Sequence, residues 1–228
     1  AAWIEGGRAG CGRWLKAAFR GRIHLGWYLV GGLGLPLLVA ALHVGLGLLL
    51  GGTLRAPADP AWPWSALFFP LSVAVNAVLS SAGGEEPGWR GYALPRLAQR
   101  MHPLAASALM GVLWGLWHLP AFLLSGTQQS EWSFTAFFLG CLAISTIATA
   151  LFNRSRGSIL LSAFFHFSLM NPMFPDAQPY DTHLLIVVAT LIVWWSRKGM
   201  LAKEGAVTED HIYASLGEIV NGEKPGRQ

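Results

Sequence analysis

The chain has 228 residues, of which 53% are hydrophobic and only 12% are charged. Soluble domains carry about 25% charged residues, so this composition excludes an ordinary soluble domain and indicates an integral membrane protein. The net charge is +4, but the basic residues lie between apolar segments and form no basic polar face, which argues against a nucleic-acid partner.

Six apolar stretches approach the length of about 20 residues that a membrane-spanning helix needs. The last two are short for a full span, and they fit if polar helix ends lie in a cavity or the bilayer thins locally. We therefore predict an all-α fold, a polytopic transmembrane helix bundle of about six spans. In chain order the predicted spans are residues 24–51, 62–81, 103–124, 134–152, 157–170 and 183–195.

Arginine and lysine alternate in number between successive loops. From the amino end to the residues just after the last span, the counts are 5, 1, 3, 0, 2, 0 and 2. Because basic loops stay in the cytoplasm, this alternation predicts six spans with both termini cytoplasmic. We expect the membrane to be the plasma membrane. Residues 1–22 are then a basic cytoplasmic segment, 23–198 the transmembrane domain and 199–228 a polar cytoplasmic tail.

A run of charge, from Glu85 to Arg90, follows the second apolar stretch directly. Glu85 and Glu86 point about 100° apart on a helix, so the two carboxylates have different neighbours. Glu86 and Arg90 have the spacing of a salt bridge on one helical face, and Pro87 suits the first turn of a helix that begins near Glu86. Glu85 is then available as a general base. A solvated interfacial loop remains the alternative interpretation.

Two later apolar stretches each carry one deep histidine, His118 and His166. Ionisable groups inside a membrane are costly, and those retained there are commonly paired and functional. Asn171 follows His166 by five positions, and a side-chain amide can stabilise a developing oxyanion. The alternatives are a packing histidine bonded to a backbone carbonyl of a neighbouring helix, and an Asn171-Pro172 pair that only ends a helix.

These groups form three motifs in order: Glu85-Glu86-x-x-x-Arg90 followed by Gly, Trp114-x-x-x-His118, and His166 near Asn171. Their order and spacing resemble the CAAX protease and bacteriocin-processing family, the Abi-type group that includes the type II CAAX prenyl endopeptidase. The resemblance covers about residues 62–172.

The sequence departs from the family pattern at two positions. Trp114 stands where the family usually has Phe, and Asn171 comes one position later than the family's Asn or Asp. A shift of one residue rotates a side chain by about 100° on a helix. Asn171 either reaches the site through a local distortion, or its contact with the oxyanion is weakened or lost.

The resemblance implies an intramembrane endopeptidase of the CAAX prenyl endopeptidase type. Glu85 would activate a water that His118 orients, while His166 and Asn171 would stabilise the oxyanion. Glu86 and Arg90 would hold the first motif in place. The implied partners are membrane lipid and a peptide or protein substrate in the membrane, and no cofactor is certain.

Two other functions remain open. Glu85, His118 and His166 could instead hold a catalytic zinc ion, although the chain lacks His-Glu-x-x-His. A buried Glu, His and Arg could also belong to a proton relay or to an inactive immunity or binding protein.

The depth of the site also stays open. His118 lies roughly 22 Å along a straight helix from Pro103, whereas Glu85 is expected near the inner surface.

Overall fold

The computed structural model describes residues 7–8, 12, 15–16, 23–50, 81–169 and 180–212. Within these ranges every regular element is helical and none is a β-strand, which confirms the all-α prediction. The predicted second span lies outside the described residues except for Ser81, and so does Asn171.

The described helices follow the predicted spans closely. Three are long and apolar enough to cross a membrane, which supports a helical membrane bundle, and two shorter apolar helices correspond to the predicted fifth and sixth spans. The described ends of these five predicted spans agree to within about three positions, the usual uncertainty of helix ends, with Pro103–Trp117 and Leu119–Leu123 together forming the third. The predicted end of the second span at residue 81 does not agree, because helical structure continues beyond it. The helices are α1 (Leu25–Leu49), α2 (residues 81–98), α3 (Pro103–Trp117), α4 (Leu119–Leu123), α5 (Phe134–Arg154), α6 (Ile159–Leu169), α7 (Tyr180–Trp195) and α8 (Arg197–Met200).

Helix α2 corrects the prediction for the charged run. A helix beginning near Glu86 was expected, but helical structure is already present at Ser81, so Pro87 lies inside the helix. Proline lacks the N–H of an interior helical residue and crowds the preceding turn. A wider π-helical segment, Trp89–Ala93, follows it before α geometry resumes at Leu94. The charged residues therefore occupy a helix and not a loop.

Glycines let α3 lie directly against α5. A Cβ atom built on Gly111 would lie only 2.8 Å from Leu142 Cα, and one on Gly115 would lie 2.6 Å from Phe138 Cδ2. The two glycines are four residues apart, which is the small-residue spacing that allows close approach of membrane helices. This contact fixes α3 against α5.

Helix α6 lies at the centre of the bundle. Its Leu161 and Phe165 are fully buried in a cluster with Ile147 of α5 and Leu185 of α7. A helix packed on several sides by protein need not match the bilayer thickness. The shortness of this predicted span is thus explained by its interior position.

The chain after α7 folds back onto the bundle. The backbone N–H of Val207 donates to Asn153 Oδ1 at 3.1 Å, and Arg96 of α2 pairs with Glu209 at 2.7 Å. Ile212 is only 4% exposed and packs in a cluster that includes Leu94. Residues 199–212 are therefore tied to helix α2, while the domain boundaries at 22 and 198 stay predictions.

Candidate active site

Glu86 lies at the buried centre of the first motif. Its Oε1 accepts a hydrogen bond from Arg90 Nη1 at 2.6 Å, which confirms the salt bridge predicted from their spacing. The same oxygen accepts from His166 Nδ1 at 3.0 Å, so α2 is joined to α6. Glu86 is completely buried and Arg90 is 1% exposed, which leaves neither group open to a substrate.

The charges of this pair balance inside the protein. Among the described residues, Glu86 Oε2 and the Nε and Nη2 atoms of Arg90 are buried without a hydrogen-bond partner. Removing one member of a buried ion pair leaves an uncompensated charge, which typically costs about 3–5 kcal/mol. We therefore infer that the Glu86–Arg90 pair stabilises α2 in its buried position, since neither charge can be exposed or removed without that cost.

Glu85 faces a different neighbour, as the helical geometry of adjacent residues requires. Its Oε2 accepts a hydrogen bond from the indole Nε1–H of Trp114 at 2.7 Å, and the residue is partly exposed. Trp114 lies one helical turn before His118 on α3. The depth question that the sequence left open is answered in part, because this bond joins Glu85 of α2 to α3 one helical turn before His118.

The ring of His118 has a defined hydrogen-bonding state. Its Nδ1 lies 2.9 Å from the backbone oxygen of Trp114. A carbonyl oxygen only accepts, so Nδ1 carries the hydrogen and the neutral ring keeps a lone pair on Nε2. The carbonyl belongs to the histidine's own helix and not to a neighbouring one, as the packing interpretation had supposed.

Aromatic rings surround the two histidines. The ring centroid of Trp114 is 4.9 Å from that of His166 and 5.8 Å from that of His118. Trp117 and Phe137 lie against His118 at 4.9 Å and 5.0 Å. Trp114 thus contacts Glu85, His118 and His166, one ionisable group from each of the three motifs.

Sequence reasoning treated Trp114 only as a departure from the family's Phe. The signal that could have assigned it a role is chemical, since Trp has an N–H donor that Phe lacks. The first motif supplies a carboxylate, and the indole N–H of Trp114 could have been expected to donate to it.

The arrangement does not favour the zinc alternative. Across residues 81–169 and the other described ranges, no group of three or more His, Cys, Asp and Glu side chains is placed to hold a metal ion. His166 Nδ1 is already bonded to Glu86, and the Trp114 ring packs against both histidines. The Nδ1 atoms of both histidines are bonded to protein oxygens, which leaves only their Nε2 atoms as candidate zinc ligands.

Comparison with known proteins agrees with the site. Residues 60–171 match the family model for Rce1-like type II CAAX prenyl endopeptidases, and this range contains all six predicted site residues. The chain is 33% identical over 139 residues to CAAX prenyl protease 2 of Methanococcus maripaludis. That alignment covers 56% of this chain and 51% of the relative, so the chain spans about half the relative's length.

Proposed function

We propose that this chain, whose residues 60–171 match the family model for Rce1-like type II CAAX prenyl endopeptidases, is a protease of that type and hydrolyses a peptide bond within the membrane. The observation that carries the proposal is the hydrogen bond from Trp114 to Glu85. It ties a partly exposed carboxylate to Trp114, which lies one helical turn before a histidine with an available lone pair. A carboxylate and an imidazole in this relation are suited to general-base catalysis on water.

Glu85 is the general base in this proposal. Trp114 holds one carboxylate oxygen, and the other is left to accept a proton from water. The lone pair on His118 Nε2 accepts the second hydrogen of that water and orients it. The resulting hydroxide attacks the carbonyl carbon of the scissile peptide bond.

His166 stabilises the oxyanion that forms in that attack. Glu86 fixes the ring through Nδ1, and in the protonated ring Nε2–H is a donor. Asn171 is proposed as a second donor from beyond the described residues. The tetrahedral species then collapses as Glu85 passes its proton to the leaving amine. Water is the nucleophile, so no acyl-enzyme intermediate forms.

The proposed substrate is a membrane-associated or lipidated peptide, with a prenylated CAAX carboxyl terminus as the first candidate. The relative's name and the family description both refer to CAAX prenyl proteolysis, and this chain shares the motifs. We further propose that both termini lie in the cytoplasm, as the alternation of basic loops predicts, and that the membrane is the plasma membrane.

The test is cleavage by purified protein in liposomes. The substrates are a quenched farnesylated CAAX peptide, the same peptide without the lipid, and a leader-like peptide. Glu85→Gln and His118→Gln are compared with Glu131→Gln, which makes the same carboxylate-to-amide change at an exposed loop position. Loss of a general base should lower kcat by about 10²–10⁴-fold. The Glu131 variant should cleave like the unmodified protein, and a chelator should have no effect.

Three results would contradict the proposal. Full activity in Glu85→Gln would remove Glu85 from the mechanism. Loss of activity with chelator, restored by zinc, would establish a metalloprotease instead. Folded protein that cleaves none of the peptides would favour the inactive binding or immunity protein.

A further inference from the structure

A second polar site lies where helices α5 and α7 end. The chain there encloses a cavity of about 380 Å³, lined at its polar side by Arg154, Arg197 and Lys198. None of its lining residues is acidic. Among the described residues no carboxylate forms a salt bridge with any of these three cations. The cavity is therefore strongly electropositive.

Arg154 is held in place on the cavity wall. Its Nε donates to Ser196 Oγ at 3.1 Å, and its guanidinium lies 4.1 Å from the ring centroid of Trp195. A guanidinium positioned in this way keeps its two terminal nitrogens for an anion, and the planar fork suits a phosphate. The site is thus ordered before any ligand binds.

Asn153 adds a neutral donor to the same cavity. Its Oδ1 accepts from the backbone N–H of Val207, but its Nδ2 is buried and has no hydrogen-bond partner within the part of the chain that the structure describes. Buried donors are nearly always satisfied, so an unpaired amide beside three cations indicates an acceptor that belongs there.

The cavity lies at the level of the membrane interface. It forms at the carboxyl ends of two apolar helices, and Trp194 and Trp195 are both 67% exposed at the end of α7. Tryptophan concentrates at the height of lipid headgroups. An anion that reaches this pocket is therefore most readily supplied by the bilayer.

We propose that the pocket of Arg154, Arg197, Lys198 and Asn153 binds the phosphate of an anionic phospholipid headgroup. Basic pockets between membrane helices are a known type of headgroup site. The three cations also offset the negative end of two helix dipoles, which by itself would repel an anion. Cations at a helix end stabilise the helix without any ligand, but that role alone cannot distinguish one lipid from another. The proposal does not depend on the proteolytic activity.

The test is native mass spectrometry of the whole protein released from detergent micelles containing phosphatidylglycerol or phosphatidylcholine. The double variant Arg197→Gln with Lys198→Gln is compared with Arg100→Gln with Lys203→Gln. Both double variants lose two exposed positive charges, but only the first pair lines the cavity. The mass spectrum and a thermal melt of each variant report that it is folded. A third arm adds inorganic phosphate to the unmodified protein.

We expect the unmodified protein to retain one phosphatidylglycerol at least tenfold more tightly than phosphatidylcholine. The cavity variant should lose this preference, and the control variant should keep its affinity to within about twofold, since long-range charge effects are screened by salt. Equal binding of the two lipids, or unchanged preference in the folded cavity variant, would overturn the proposal. Binding of inorganic phosphate that displaces the lipid at equal concentration would assign the pocket to a soluble ligand.

Discussion

Trp114 joins the parts of the candidate site that come from different helices. It donates to Glu85 of α2 and packs against His166 of α6, while its own backbone oxygen accepts from His118. A phenylalanine could make the ring contact but not the hydrogen bond to the carboxylate. At the scale of single residues, this donor is one of the two features that distinguish the chain from the pattern it resembles.

Trp114→Phe is predicted to lower kcat about 10- to 100-fold, because a hydrogen bond to a charged group contributes about 1.5–3 kcal/mol. KM should change by less than about threefold, since the bond orients the base and does not hold the substrate. Steady-state cleavage of the lipidated peptide measures both constants.

Trp194→Phe is the matched control, because Trp194 is 67% exposed and lies on α7. It should leave both constants unchanged. If Trp114→Phe is as active as the unmodified protein, Glu85 is held by other contacts and Trp114 only packs.

Only part of the site could be predicted from single residues. The Glu86–Arg90 pair follows from helical spacing, and it was confirmed at 2.6 Å. The Trp114–Glu85 bond joins residues 29 positions apart on separate helices, so it depends on how α2 packs against α3. No local pattern encodes that packing. The catalytic roles of Glu85, His118, His166 and Asn171 stay predictions, since only a measured reaction can test them.

At the scale of elements, the close contact of α3 with α5 sets the position of Trp114. Gly111→Val is predicted to destabilise the protein by about 1–3 kcal/mol or more, because its Cβ would meet the backbone of Leu142. The shift of α3 should also reduce peptide cleavage at least tenfold. Thermal melting in detergent and the cleavage assay report the two effects.

Gly45→Val provides the control for that substitution. Gly45 is also in a long apolar helix, but nothing lies within 4 Å of a Cβ built on it. It should change the melting temperature by no more than about 2 °C, since it creates no overlap. Equal destabilisation by both substitutions would show that helix propensity, and not the α3–α5 contact, is responsible.

Sequence patterns predicted the apolar helices well and the charged helix poorly. A helix that crosses the bilayer needs a long apolar run, so the ends of the apolar runs predict the ends of α3, α5 and α7. Helix α2 carries glutamates, an arginine and an interior proline, which in isolation are typical of a loop. Burial of the Glu86–Arg90–His166 contacts overrides that local preference, and such tertiary stabilisation is invisible to a local pattern.

At the scale of the whole molecule, residues 199–212 pack against helix α2, which carries Glu85 and Glu86, and stabilise it. Ile212→Ala is predicted to cost about 2–4 kcal/mol, because Ile212 is 4% exposed in the cluster with Leu94 of α2. Leu201→Ala, at a position that is 52% exposed, should cost less than about 1 kcal/mol. Reversible unfolding in mixed micelles measures the free energy of unfolding of both variants. An equal decrease in the two would show that burial of Ile212 does not stabilise the bundle.

The π-helical segment Trp89–Ala93 has a consequence for how lengths vary among relatives. A π turn holds about one residue more than the α turn it replaces. A relative that lacks one residue there can close the segment to α geometry while its flanking turns keep their relative rotation. The same deletion between Glu85 and Trp89 would rotate Glu85 and Leu94 apart by about 100°. A one-residue gap at this segment in an alignment is therefore compatible with an intact site, whereas a gap between Glu85 and Trp89 is not.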